Sequence, residues 1–237
     1  MALPIQSAPK YTISLPSDGK EVKFRPFLVK EQKLLMLAQE ENDEGKTMEA
    51  IKDLIRTVTF QEVEPETLPI IDMEYLFLKI RAKSVGETAN IKLTCNDTSC
   101  PDEGRGTGDT VVNIDEVEVV GDEPEMKIMI NDEIGIEFRY PTVGDMGGVE
   151  RLDQGSQTVE VIKKSIKSIY TEEDVFLAKD TSDKELTEFV ENLTVQQLEK
   201  LGGFFQSLPR LQKDVSAKCN TCGKPIEKVL IGLQNFF

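Results

Sequence analysis

Leu93-Thr94-Cys95-Asn96-Asp97-Thr98-Ser99-Cys100-Pro101 and Lys218-Cys219-Asn220-Thr221-Cys222-Gly223-Lys224 are the two stretches that decide the fold. The first holds a Cys-x4-Cys and the second a Cys-x2-Cys. The chain has 237 residues, no further cysteine and no histidine. Two close pairs far apart in sequence suit a tetrahedral four-thiolate zinc site with Cys95, Cys100, Cys219 and Cys222 as ligands. Each pair reads as a knuckle, a tight turn aiming two sulfurs at one ion. Gly223, directly after Cys222, supplies the positive-φ freedom such a turn needs. If a metal is held there, the C-terminal region folds back onto the middle of the chain.

Three other uses of the cysteines stand beside zinc. Disulfides or free thiols are one, but no secretory signal is visible at the start, and structural disulfides are rare in a reducing cytoplasm. A redox Cys-x2-Cys sits at a helix start near a βαβ pattern, whereas Pro225 and a strand-like apolar run follow Cys222. Catalytic zinc needs an open coordination position, which four thiolates do not leave.

Composition narrows the class. Hydrophobic residues make up 39% and charged residues 30%, the balance of a globular chain. No apolar run approaches the roughly 20 residues that span a bilayer, so no membrane is expected. Net charge is −15, which weighs against nucleic acid, whose phosphates repel an acidic surface. Without histidine, neither a Ser-His-Asp triad nor a Cys-His dyad can form. Carboxylate runs such as Glu172-Glu173-Asp174 are ordinary solvated surface among 43 acidic residues. No enzyme is expected.

The pattern along the chain is α+β. A β-hairpin is expected at Tyr11–Leu15 and Val22–Arg25, with helices at 29–41, 46–58 and 72–83. Ile51, Leu54, Ile55 and Val58 form one apolar stripe, and Met73, Leu76, Phe77 and Ile80 another. Strands are expected at Thr88–Thr94, Thr110–Ile114 and Glu116–Val120, then a hairpin about Asn131-Asp132. The glycines of 102–109 superficially resemble a phosphate cradle, but no helix follows them and acidic residues flank them. Val159, Ile162, Ile166 and Ile169 predict a helix over 157–169. Ser182-x-x-Glu185 and Thr194-x-x-Gln197 are capping boxes opening two more helices, the last weakened by Gly202-Gly203 and stopped by Pro209. Strand signals close the chain at Val215–Lys218 and Ile226–Leu233.

The expected architecture is two helical blocks around a small antiparallel β-region with a zinc-ribbon-like four-cysteine site. Its parts are 1–87 (hairpin plus helices), 88–140 (β-rich, first knuckle), 141–212 (helical) and 213–237 (second knuckle and last strand), within one integrated domain. Phe236 and Phe237 end the chain on two large aromatics, where a terminus is normally polar. They either pack on the protein's own core or anchor in a partner. Phe204 and Phe205 are neighbours on a helix and cannot share one face, so Phe204 is a second candidate anchor.

Four blocks carry a family resemblance. They are Phe24-Arg25-Pro26-Phe27-Leu28-Val29-Lys30-Glu31-Gln32-Lys33-Leu34-Leu35, the segment Asp72 to Glu87, the paired cysteines, and Phe204–Pro209 with the terminal Gly-Leu-x-x-Phe-Phe. With them the chain resembles the small baseplate hub subunits and hub assembly proteins of contractile-tailed phages of the T-even type. The resemblance implies a structural virion protein of the tail baseplate, assembled in the host cytoplasm, or a transient assembly factor absent from the finished particle. It implies as partners other hub proteins, the tail-spike complex and the tape-measure protein, with a homo-oligomer matching hub symmetry as a further possibility. A zinc-ribbon nucleic-acid binder is the other class in view, and the charge opposes it.

Overall fold

A computed structural model describes residues 8–41, 43–101, 106–121 and 123–233. The fold is α+β, with six helices and short antiparallel sheets among the described residues. The expected segments distribute over two compact units. The first takes in 1–65, 71–120 and 210–237, and the second 66–70 and 121–209.

In the first unit β1 (Tyr11–Ser14) and β2 (Glu21–Phe24) form the expected hairpin, turned at Gly19 with φ of 72°. α1 (Val29–Glu40), α2 (Glu44–Val58) and α3 (Ile70–Ser84) follow. The stripes on α2 and α3 are buried as their spacing predicts, with Ile55, Val58, Leu76, Phe77 and Ile80 fully inside. Polar ties hold the hairpin to the helices. The Ser17 hydroxyl and backbone N–H donate to the buried Asp72 carboxylate, and the Arg25 N–H donates to the Val58 carbonyl. Desolvation holds the Asp72 carboxyl above its ordinary range, against the pull of Ser17.

β3 (Thr88–Thr94) pairs with β4 (Thr107–Asn113) as one two-stranded sheet. β5 (Glu118–Val120), β10 (Arg210–Lys218) and β11 (Pro225–Ile231) form another, with β10 in the middle. β10 lies against β4, and β11 against β3. The two long hairpins therefore run together toward their tips, where the cysteines sit.

The second unit is built on a four-stranded antiparallel sheet. Its order is β6 (Lys127–Met129), β7 (Gly135–Phe138), β8 (Ile166–Tyr170) and β9 (Val175–Leu177). α4 (Gln154–Ser165), α5 (Asp183–Glu191) and α6 (Val195–Ser207) complete it. Both capping boxes form, at Ser182 and Thr194. Gly202 and Gly203 do not interrupt α6, which runs through them from Val195 to Ser207.

One expected helix is corrected. α4 ends at Ser165, and Ile166 and Ile169 stand on β8 instead of a helix continuing to 169. Ladder bonds to β7 on one side and β9 on the other outweigh the helical spacing. Ile162, Ile166 and Ile169 still pack on one core with Ile136, Phe138, Val190, Leu201 and Phe204, so the apolar spacing served both conformations.

Candidate metal centre

The β3–β4 ladder ends with Thr94 opposite Thr107, and the Cys95 N–H extends it by donating to the Gly106 carbonyl at 2.7 Å. The chain then turns tightly enough for the Cys100 N–H to reach the Asp97 carbonyl at 3.0 Å. In the other hairpin Lys218 pairs with Pro225, and the Cys219 N–H donates to the Lys224 carbonyl at 2.9 Å. The turn closes when the Gly223 N–H reaches the Cys219 carbonyl, with Gly223 at φ of 74°. That left-handed conformation is the one the sequence assigned to this glycine.

Three bonds stitch the tips together. The Asn220 N–H donates to the Thr107 carbonyl at 2.8 Å. Lys224 Nζ donates to Asp97 Oδ2 at 2.5 Å and to Ser99 Oγ at 2.7 Å, crossing from one knuckle to the other. The Lys224 ammonium, together with the Ser99 hydroxyl and N–H, pulls the Asp97 carboxyl down to about 2.

All four sulfurs lie within 4.8 Å of one another, and those of Cys95 and Cys222 are 3.9 Å apart. A zinc ion with Zn–S bonds of about 2.3 Å needs sulfurs at tetrahedral corners roughly 3.8 Å apart. The donor set therefore fits a divalent thiophilic ion. Cys95, Cys100 and Cys219 are buried and Cys222 is half-buried. Clustering shifts the individual thiols in opposite directions. Backbone N–H groups of Cys222 and Thr221 bring Cys219 down to about 6. Although the Lys224 N–H pulls Cys222 down, burial and the neighbouring sulfurs push it up to about 11. A cation bound among the sulfurs would favour the thiolate form, Cys222 above all.

Glycines that the sequence reading set aside are part of this centre. A Cβ on Gly106 would stand 2.7 Å from Cys219 Sγ and 3.1 Å from Cys100 Sγ. A Cβ on Gly108 would stand 2.6 Å from the Lys218 carbonyl oxygen. These positions let one hairpin approach the other. The signal available in sequence was two alternate glycines a few residues beyond Cys100. Lys224, Asp97 and Ser99 were missed too, since a charged residue inside a cysteine turn has no local signature of a cross-link.

The aromatic candidates separate. Phe204 is 3% exposed and stacks on Phe138 with ring centroids 4.6 Å apart, while Phe205 meets both rings edge-on. As a presented anchor Phe204 is corrected: the core of the second unit already occupies its ring. Phe236 and Phe237 lie outside the described residues. Just before them, the Leu233 N–H donates to Glu74 Oε1 at 3.1 Å.

Two hairpins from distant parts of an acidic α+β chain thus bring four thiols together. Residues 8–237 match the family described as T4 bacteriophage base plate protein, and the chain belongs to that family. It is 25% identical over 231 residues to the baseplate hub assembly protein gp26 of Enterobacteria phage T4, covering 96% of this chain and 98% of that protein. No solved structure matches it.

Proposed function

We propose that this protein acts in building the baseplate hub of a contractile phage tail, by holding hub, tail-spike or tape-measure proteins together during assembly. The observation that carries this is end-to-end similarity to a hub assembly protein, which leaves neither chain with a large unmatched domain. In this reading the cysteine centre is a structural zinc site held by Cys95, Cys100, Cys219 and Cys222. It keeps two hairpins from distant parts of the chain in one rigid element, and zinc supplies the charge that the clustered thiolates need. The net charge of −15 supports protein over nucleic acid as partner, against the zinc-ribbon nucleic-acid alternative.

Retention in the particle as a virion subunit is a second reading, favoured by the family's description as a base plate protein. Quantitative mass spectrometry of purified virions, beside lysates of a phage lacking the gene, tests both. Failure of hub formation without the gene supports the assembly role, and normal tails would overturn it. Peptides present in virions at stoichiometric level identify a retained hub subunit; their absence identifies a released factor.

A further inference from the structure

We infer that β9 is an open docking edge that accepts an extended segment of another protein, one alternating apolar residues and carrying lysine or arginine beside Glu172-Glu173-Asp174. Among the described residues β9 is the last strand of its sheet, with β8 on one side only. Its three residues are consecutive, apolar and exposed: Val175 at 64%, Phe176 at 52% and Leu177 at 38%. Native sheets guard such edges with charge, proline or bulges. The opposite edge follows that rule, since Glu123-Pro124-Glu125 leads into β6 and Lys127 lies on it. β9 is equally short and follows an acidic turn, but its own three residues carry no charge, proline or bulge.

The backbone shows which groups are offered. The Thr171 N–H donates to the Asp174 carbonyl at 2.9 Å, so residues 171 and 174 are a hydrogen-bonded pair. Antiparallel ladders alternate, and with Ile169 opposite Phe176 that pair is hydrogen-bonded as well. Val175 and Leu177, opposite Tyr170 and Ser168, therefore turn their N–H and C=O groups outward. The Thr181 hydroxyl donates to the Leu177 carbonyl at 2.9 Å. Two outward donors and the Val175 carbonyl remain for an added strand, with side-chain positions that select alternate apolar residues.

Charge selects the occupant. Three carboxylates stand immediately before the strand, in a chain of net charge −15. A cationic flank on the incoming strand is attracted there. A second copy fits less well. Antiparallel about Phe176, it would set Glu173 against Lys179 but Glu172 against Asp180, with two strongly acidic bodies brought together. The inference draws on the assembly reading only for the existence of a protein partner. Its failure would leave that reading to the virion and lysate measurements.

Amide hydrogen exchange on the full chain is the test, with a short synthetic peptide of alternating threonine and valine ending in two lysines as probe. In the free protein the Val175 and Leu177 amides should exchange rapidly while Phe176 is protected. At about 1 mM peptide, the scale of a weak complex, those two amides should become protected. Val175→Pro removes one outward donor and no native ladder bond, so it should melt like the wild type and bind the peptide at least about tenfold more weakly. Exchanging the lysines for glutamates should weaken binding as much. No protection at that concentration, equal binding by Val175→Pro, or indifference to the lysines would overturn the inference. A concentration-dependent dimer abolished by Val175→Pro would also overturn it, by showing that a second copy covers the edge.

Discussion

Lys224 donates to the carboxylate of Asp97 at 2.5 Å, across 127 positions of sequence, and so clasps the second cysteine turn to the first. The ion pair is solvent-facing and worth little by itself. Its position shows that the two knuckles are held in place by protein contacts as well as by the sulfurs. The four thiols are thus brought together by protein contacts, and an ion bound among them would close a loop through more than half the chain.

Replacing Cys222 with serine should remove the metal and loosen the C-terminal hairpin while leaving helices partly formed. Zinc-finger peptides bind with about 10–16 kcal/mol apparent free energy, as much as or more than the net stability of a typical domain. Elemental analysis should find about one zinc per wild-type chain and almost none in the variant. A Cys222→Ser protein with unchanged metal content and melting curve would sink the four-thiolate site.

Gly106→Ala should weaken metal binding without touching a ligand, because its methyl would press on Cys219 Sγ from 2.7 Å. Gly202→Ala is the control. Nothing lies within 4 Å of its added Cβ in α6, so the helix should gain up to about 1 kcal/mol. Competition with a chromogenic chelator reads the first, and urea midpoints read the second.

Phe204→Ala should destabilise the second unit by about 3–5 kcal/mol, since it empties a stacked aromatic position in the core. Zinc content should stay at the wild-type level. Calorimetry with parallel metal analysis checks both, and an unaltered melt would return Phe204 to the list of docking residues.

Two glutamates give opposite pH dependences. Arg25, bonded to Glu31 at 2.8 and 3.0 Å and assisted by the Leu28 N–H, holds the Glu31 carboxyl below its ordinary value. Its stabilising effect is present above the ordinary carboxylate range and is lost as pH falls through the native value. Glu31→Gln should cost about 1.5–3 kcal/mol at pH 7, and the gap to wild type should close in acid. Burial raises the Glu74 carboxyl, against the pull of the Leu233 N–H. Its contribution is present below the ordinary range and is lost as pH rises through the raised native value. Glu74→Gln should flatten that decline. Urea midpoints across pH for each variant measure both signs.

Features set by near neighbours were legible in the sequence. The Ser182 and Thr194 capping boxes, the stripes of α2 and α3, the Gly19 and Gly223 turns and the pairing of the cysteines depend on spacings of two to seven residues. Ile166 was not legible in that way. A residue three or four places after Ile162 fits a helix, yet the same side chain fills the same core from β8. Only the flanking strands distinguish the two.

The sequence by itself determined the α+β composition, two close cysteine pairs with no spare cysteine or histidine, and a net charge of −15. Those follow from covalent order and residue chemistry. Only the tertiary structure decided that Gly106 and Gly108 make room for the opposing hairpin, that Phe204 is enclosed, and that β9 ends its sheet with three exposed apolar residues. Each of these depends on which distant backbone comes alongside, a choice made by burial and hydrogen bonding summed over the fold.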